Sequence, residues 1–348
     1  MRPIPTALLS YGMSGEVFHA PLLHAHAGFE ITSVVQRTKS TANQHYPTCK
    51  VVRTVDEVLA DPAIELVIVN TPNELHFNQA SRALLAGKHV VVEKPFTVST
   101  HEADQLIELA TEKNRVLTVF QNRRWDGDFL TLKHVIDSGW VGRVVELEAH
   151  YDRFRNHIEP DTWKEEAGSG KGILYNLGSH MLDQAVVLLG MPEYVDARIG
   201  IQRTGGKVDD FYDLRLTYAG VNVIVKSSYL VRQPGPRYQL HGTEGSFVTA
   251  SNVDPQEQAL KEKKIPGSPG WGSMPEETWG LLNTTLKGEH VHKKIETVAG
   301  NYSGFYDNVY AAIRQNKPLQ VKPEQARDVI RLIEASYESN REKRAVKL

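Results

Sequence analysis

The sequence predicts an α/β N-terminal domain with a doubly wound parallel sheet, followed by an α+β domain with a large, mostly antiparallel open sheet. Three observations carry this expectation. The chain has 348 residues, more than one domain usually holds. Its opening third alternates short apolar runs with helical patterns, the order of βαβ units. From about Asp126 onward, longer segments alternate apolar and polar residues with period two. The expected domains are therefore residues 1–122 and 123–348.

Each element has its own signal. Apolar runs place strands over 6–11, 30–36, 66–71, 89–93 and 117–121, with helices over 15–27, 74–86 and 100–114. Gly87 and Asn114 supply helix stops, and Pro21 predicts a kink or irregular turn within the first helix. A helix is expected over 128–138. In RVVELEAHYDRF, Val145, Leu147, Ala149 and Tyr151 share one face, and Glu146, Glu148, His150 and Asp152 the other. VDARIGIQR, FYDLRLTYA and VNVIVKSSYL continue as strands, and a helix over 178–189 covers one face of their sheet. The Gly- and Pro-rich stretch 254–277 reads as a surface excursion, a lid or an oligomer contact, packed by Trp271 and Trp279. Helices return over 302–315 and 323–342. The open sheet is expected to leave an apolar face that needs covering, which predicts a homodimer, with a tetramer as the alternative.

Composition excludes several classes of partner. With 40 basic and 42 acidic residues, no positive excess points to nucleic acid or an anionic membrane. The single cysteine, Cys49, rules out an intrachain disulfide. The apolar run before Gly12 is too short for a signal peptide, and no segment nears the ~18 apolar residues of a membrane span. A cytoplasmic protein is expected. His24, His26, His150 and His157 are read as lacking a carboxylate or cysteine at metal-ligand spacing, so no metal is expected. His76, in TPNELH, reads as a packing and capping residue.

Two motifs carry chemistry. Ser10-Tyr11-Gly12-Met13-Ser14-Gly15 is the dinucleotide fingerprint with serine in the first glycine place, between a strand and a helix. Gly12 lets backbone approach a pyrophosphate, Gly15 lets helix and strand pack closely, and helix N-terminal amides hold the charge. After the second strand comes Gln36-Arg37-Thr38-Lys39-Ser40, with no carboxylate for a ribose 2′-hydroxyl. Arg37 among hydroxyls suits a 2′-phosphate, so NADP(H) is expected over NAD(H). The second motif is HVVVEKPF, residues 89–96: a buried strand ending in Glu93-Lys94-Pro95, where open α/β sheets bind ligands. Pro95 fixes its own φ and pushes Lys94 toward extended geometry, aiming the ammonium. Glu93 is placed either on Lys94 or on a cofactor ribose. Thr71, Pro72 and Asn73, after another strand, and Asn122, after the last, are grouped with the cofactor residues, Asn122 toward the nicotinamide.

The segments LLSYGMSGEVFHAPLL, VIVNTPNELHFNQASRALLAGKHVVVEKPF, FQNRRWDGDFLTLKHVI and GILYNLGSHMLDQAVVLLG, with the C-terminal GFYDNVYAAIRQNKPLQVKPEQARDVIRLIE, together resemble the Gfo/Idh/MocA oxidoreductases over essentially the whole chain. QNRRWDGDFLTL is most similar to the branch of NADP-dependent scyllo-inositol dehydrogenases. The resemblance implies an N-terminal Rossmann domain, a C-terminal open-sheet domain used in association, and hydride transfer with a sugar or polyol. It implies that Lys94 is the active-site lysine and His180 the active-site histidine. In family dehydrogenases the residue four before that histidine is usually aspartate; this chain carries Asn176, which hydrogen-bonds a substrate hydroxyl without relaying a proton. Asn176, His180 and Asp183 are expected near one side of a helix. Tyr151, Arg155, Trp163 and Arg124 are candidates for the polyol pocket. The alternative reading is a nucleotide-binding sensor of the same fold with weak or no catalysis.

Overall fold

The structure, a computed structural model, describes residues 2–160, 162, 165–250 and 254–348. It divides into two compact units. One comprises Met1–Asn122, Gln256–Trp271 and Asn301–Arg327, and the other Arg123–Pro255, Gly272–Gly300 and Asp328–Leu348. The partition is thus not one cut in sequence: two later segments return to the first unit.

The first unit is built on six parallel strands: β1 (Ile4–Leu8), β2 (Phe29–Val35), β3 (Lys50–Val52), β4 (Leu66–Val69), β5 (His89–Val92) and β6 (Leu117–Val119). Their order is β3-β2-β1-β4-β5-β6, a doubly wound arrangement with β1 and β4 adjacent at the switch point. Leu66–Val69 is buried at every position because helices cover both faces. The helices are α1 (Ala20–Ala25), α2 (Ala42–His45), α3 (Val55–Ala60), α4 (His76–Leu85) and α5 (Thr100–Glu112). In α5, Ala103, Leu106 and Ala110 bury one stripe, and Ser99 caps the start by accepting from Glu102 N.

Three of these elements escape the sequence reading: β3, α2 and α3. Three to six residues are too short to show a period. The Thr54-x-x-Glu57 capping box at the start of α3 was the available signal, and both of its hydrogen bonds form. The irregular turn expected at Pro21 lies just before it. Ser14–His19 forms a widened π-helical turn, and Pro21 sits in the first turn of α1, where no donor is missed. From the C-terminal part of the chain, α9 (Ser303–Gln315) packs on this unit through Tyr306 and Tyr310, which meet Phe29 at ring centroids 5.5 and 6.0 Å apart.

The second unit holds a nine-stranded sheet. Its strands are β7 (Val144–His150), β8 (Tyr194–Gly200), β9 (Phe211–Tyr218), β10 (Val221–Ser228), β11 (Tyr238–Gly242), β12 (Gly245–Val248), β13 (Gly280–Leu286), β14 (Glu289–Ile295) and β15 (Val346–Lys347). The order is β14-β13-β12-β11-β7-β10-β9-β8-β15, and β7–β10 is its parallel pair. Register lines up one apolar row across eight strands: Leu282, Phe247, Leu240, Leu147, Val223, Leu216, Val195 and Val346. All eight are buried. A one-residue slip would turn this row outward, so the row itself fixes the register.

The adjacent row, on the opposite face, reads Asp196, Arg215, Ile224, Glu148, Gln239, Val248, Leu281 and Lys294. This corrects the expectation of an apolar open face. Period-two alternation had already sent the large aliphatic residues inward, leaving mostly polar side chains outside. The 254–277 stretch also differs from a bare excursion. It opens with α8 (Pro255–Lys261), whose Gln256 is buried and accepts from Trp271 Nε1 (3.2 Å) and Tyr302 N (2.6 Å). Trp279 Nε1 donates to Met274 O, so both tryptophans pack the segment. The remaining helices are α6 (Gly127–Asp137), α7 (Ser179–Leu189) and α10 (Pro323–Glu342).

Candidate active site

In the first unit the site grows from the turn after β1. Ser10 Oγ accepts from Gly12 N (3.3 Å), and Gly12 O accepts from Glu16 N (2.8 Å), which closes the loop. Serine therefore makes the turn that the fingerprint gives to glycine. At Gly15 a Cβ would lie 2.4 Å from Ser10 O and 2.9 Å from Asn70 Nδ2, so only glycine permits this helix–strand approach. At Gly12 a Cβ would meet only Ser10 Oγ, at 3.7 Å, and the backbone faces open space. Met13 beside it is 66% exposed.

The end of β5 is tied to this loop. Ser14 Oγ donates to Glu93 Oε1 (2.5 Å), His19 Nε2 lies 3.0 Å from the same oxygen, and Glu93 Oε2 accepts from Lys94 N (2.9 Å). His19 is buried, with Nδ1 2.6 Å from the Tyr306 hydroxyl. Burial alone would raise the Glu93 carboxyl. The His19 hydrogen bond and charge, the Lys94 charge and the Ser14 hydroxyl outweigh it and hold Glu93 at about 2. The sequence places Glu93 on Lys94 or a ribose; in the structure it meets Ser14, His19 and the Lys94 amide and feels the Lys94 charge. The Lys94–Pro95 peptide is cis.

The other first-unit residues stand around the same strand ends. Thr71 donates to Gln79, and His76 bridges Thr71 O (3.0 Å) and Pro95 O (2.8 Å), so His76 fastens the two turns together. Pro72 and Asn73 open the short helical turn Asn73–Leu75. Arg37 is exposed in the turn after β2, and Asn122 is buried after β6. Two buried acceptors have no partner among the described residues: Asn70 Oδ1 after β4 and Gln121 Oε1 after β6. Buried polar groups are ordinarily satisfied. These orphans, with the open backbone at Gly12 and the turn amides, fit a dinucleotide that offers phosphates, hydroxyls and a carboxamide.

The second unit supplies another group. Asn176 lies in a π-helical turn, Leu174–Gly178, that runs into α7, where His180 and Asp183 follow. The widened turn runs straight into the regular α7 that carries His180 and Asp183. Such turns recur at functional sites, and among the described residues each unit has one. Asn176 Nδ2 donates to the Tyr229 hydroxyl (3.4 Å), and Tyr229 O accepts from Arg155 N (2.7 Å). Arg155 and Arg203 stand over the Tyr229 ring at 6.0 and 5.0 Å. Tyr229 thus links two predicted residues, although the alternation of VNVIVKSSYL marked it only as strand.

Two pocket candidates take structural partners. Arg124 makes a buried bidentate pair with Asp183 (2.7 and 2.6 Å), which occupies the fork expected to meet a polyol. Tyr151 is buried with the guanidinium groups of Arg237, Arg123 and Arg153 at 4.7, 5.0 and 5.2 Å from its ring. Arg237 pairs with Asp126 and Asp128, and Arg123 with Asp126 and Asp254, in one buried ionic cluster. Trp163 lies outside the described residues.

The histidines also differ from their reading. His150 lies between Glu148 (2.6 Å) and Asp152 (3.1 Å), His26 meets Asp307 and His157 meets Glu159, so carboxylates are present beside three of them. Strand periodicity put Glu148, His150 and Asp152 on one face, and that was the overlooked signal. Among the described residues no group of three or more such side chains is arranged to hold a metal ion. No described helix is long and apolar enough to cross a membrane.

Comparison with known proteins gives a consistent result. Residues 6–121 match the model "Oxidoreductase family, NAD-binding Rossmann fold", and residues 133–348 match "Oxidoreductase family, C-terminal alpha/beta domain". The chain is 38% identical over 345 residues to scyllo-inositol 2-dehydrogenase (NADP(+)) IolW of Bacillus subtilis, covering 99% of this chain and 96% of that one. It is 38% identical over 342 residues to the uncharacterized oxidoreductase YdgJ of Escherichia coli, covering 97% and 96%. The solved triclinic structure of yvaA from Bacillus subtilis superposes with a TM-score of 0.96 at 38% identity, over 100% of this chain and 99% of that one.

Proposed function

The chain belongs to the Gfo/Idh/MocA family of oxidoreductases, with an NAD-binding Rossmann domain, and from that premise we propose that it is an NADP-preferring dehydrogenase or reductase acting on the CH–OH group, or the corresponding carbonyl, of an inositol-like polyol or sugar. The observation that carries this reading is the 2.5 Å hydrogen bond from Ser14 to Glu93. It fastens the phosphate loop to the strand end that bears Lys94, so cofactor holding and the candidate acid–base lysine are one construction. The scyllo-inositol dehydrogenase relative supports the polyol class.

In this reading Ser10–Gly15 hold the phosphates with backbone amides, and Arg37 meets the 2′-phosphate. The buried carboxamide oxygen of Gln121 receives an N–H from the ligand. When bound, the nicotinamide supplies the acceptor or donor of a hydride. Lys94 donates to the substrate oxygen and stabilises negative charge there. His180 takes the hydroxyl proton in oxidation and returns it in reduction. Asn176, steadied by Tyr229, orients a neighbouring hydroxyl. A cytoplasmic location is part of the same proposal, and so is a homodimer, on the association through the open sheet that the family resemblance implies.

The test is a screen of inositols, aldoses and keto-sugars, followed at the nicotinamide absorbance in both directions. Lys94→Ala and His180→Ala are each expected to lower turnover by about 10²–10⁴-fold on the substrate found. Asn176 in the aspartate position favours the second reading, a nucleotide-binding sensor. Tight NADPH binding with no turnover across the screen would select it.

A further inference from the structure

Arg53 stands at the carboxyl end of β3, beside Gln36 at the end of the neighbouring parallel strand β2; Val35 and Val52 pair in register, and Gln36 N donates to Val52 O. This is the edge of the sheet where the Gln36–Ser40 turn leaves. Arg53 reaches back over that turn. Its Nη1 donates to Gln36 O (2.7 Å) and Lys39 O (2.6 Å), and its Nη2 donates to Ser40 Oγ (2.9 Å). One guanidinium therefore spans the turn that carries Arg37, Thr38 and Lys39. Gln36 braces it from within: Oε1 accepts from the Thr41 and Ala42 amides, and Nε2 donates to Thr41 Oγ1. Glu57 is turned onto the Arg53 and Thr54 amides and the Thr54 hydroxyl.

A five-residue turn with four exposed polar side chains has no apolar reason to hold one shape. Arg53 supplies one, because its fixed fork reaches three acceptors at once while its charge adds to that of Arg37 and Lys39. Hydrogen bonds from a charged donor are worth more than neutral ones. The carbonyls of Gln36 and Lys39 are drawn onto Arg53, away from any anion that Arg37 meets.

We propose that Arg53 is a positioning and specificity-determining residue for the adenosine 2′-phosphate, holding the Gln36–Ser40 turn in the shape that presents Arg37 and Lys39. The proposal rests on the NADP preference argued above. It requires Arg53 to matter for NADPH and not for NADH, which lacks that phosphate. A merely structural arginine would affect both alike.

The experiment is equilibrium binding of NADPH and NADH to the full chain, read by nicotinamide fluorescence, for wild type, Arg37→Ala, Arg53→Ala and Arg53→Lys. Arg53→Ala is expected to weaken NADPH by about tenfold or more while NADH stays within about twofold, which also shows that the fold is intact. Arg53→Lys keeps the charge but not the fork, and is expected to remain within about threefold of Arg53→Ala for NADPH. Full recovery of NADPH affinity by lysine overturns the positioning role. Equal weakening of both cofactors, or of neither, overturns the proposal, and loss of preference in Arg37→Ala alone leaves the NADP reading standing without it. Tighter binding of NADH by the wild type overturns both.

Discussion

Glu93 accepts from Ser14, His19 and the Lys94 amide on one carboxylate, and its charge is the chemical link between phosphate loop and lysine. Holding it at about 2 rather than its ordinary 4.5 corresponds to on the order of 3 kcal/mol of stability. A depressed carboxyl stabilises the fold fully above 4.5 and loses that contribution as pH falls toward 2. Denaturant titration should therefore show Glu93→Gln less stable than wild type by a constant amount between pH 7 and 5. The gap should narrow as pH falls below 4.5; a gap that widens on acidification contradicts the network. His150 has the opposite sign. Asp152 raises its pKa most, with Glu148 adding to it against burial. Its stabilisation is full below about 6.5 and fades as pH rises through the raised value. His150→Gln should cost more at pH 6 than at pH 9, with the titration itself read by NMR. Glu93 and Lys94 were legible as a pair in the sequence. His19, Arg53 and Tyr229 were not, because their partners are distant: His19 and Tyr306 stand 287 residues apart. No local period encodes such a meeting.

At the scale of elements, strong periodicity was readable and brevity was not. The βαβ strands and α10 stood out because burial on both faces or one long stripe writes a repeated pattern. β3 and α2 are shorter than the periods that reveal elements, and α3 announced itself only through its capping box. The π-helical turns have no spacing signature, yet each falls at a candidate site, one bearing Ser14 and the other Asn176. The apolar row across the nine-stranded sheet makes a quantitative claim. Phe247 is fully buried between Leu240 and Leu282, so Phe247→Ala should destabilise the second unit by about 3–5 kcal/mol in chemical denaturation. A cost below about 1 kcal/mol would mean that the row does not set the register.

For the whole molecule, the candidate site residues divide between the two units. The first holds the phosphate loop and Lys94; the second holds His180 and Asn176. The family resemblance was visible because motifs from both units occur in one chain, whereas the return of 256–271 and 301–327 to the first unit was hidden, since Gln256 and Tyr306 find their partners only in the folded chain. At the position of Asn176 the family resemblance leads one to expect an aspartate. Asn176→Asp supplies a proton-relaying carboxylate four residues before His180 and should raise kcat without tightening NADPH; an unchanged kcat would mean that His180 and Lys94 suffice. The central claim is NADP-linked hydride transfer that depends on Lys94. It is tested most directly by NADP⁺ reduction with scyllo-inositol and its isomers, comparing wild type with Lys94→Ala at matched cofactor saturation. The account predicts turnover in the wild type and a loss of at least about 10²-fold in the variant with NADPH affinity kept. Undiminished turnover by Lys94→Ala would contradict it.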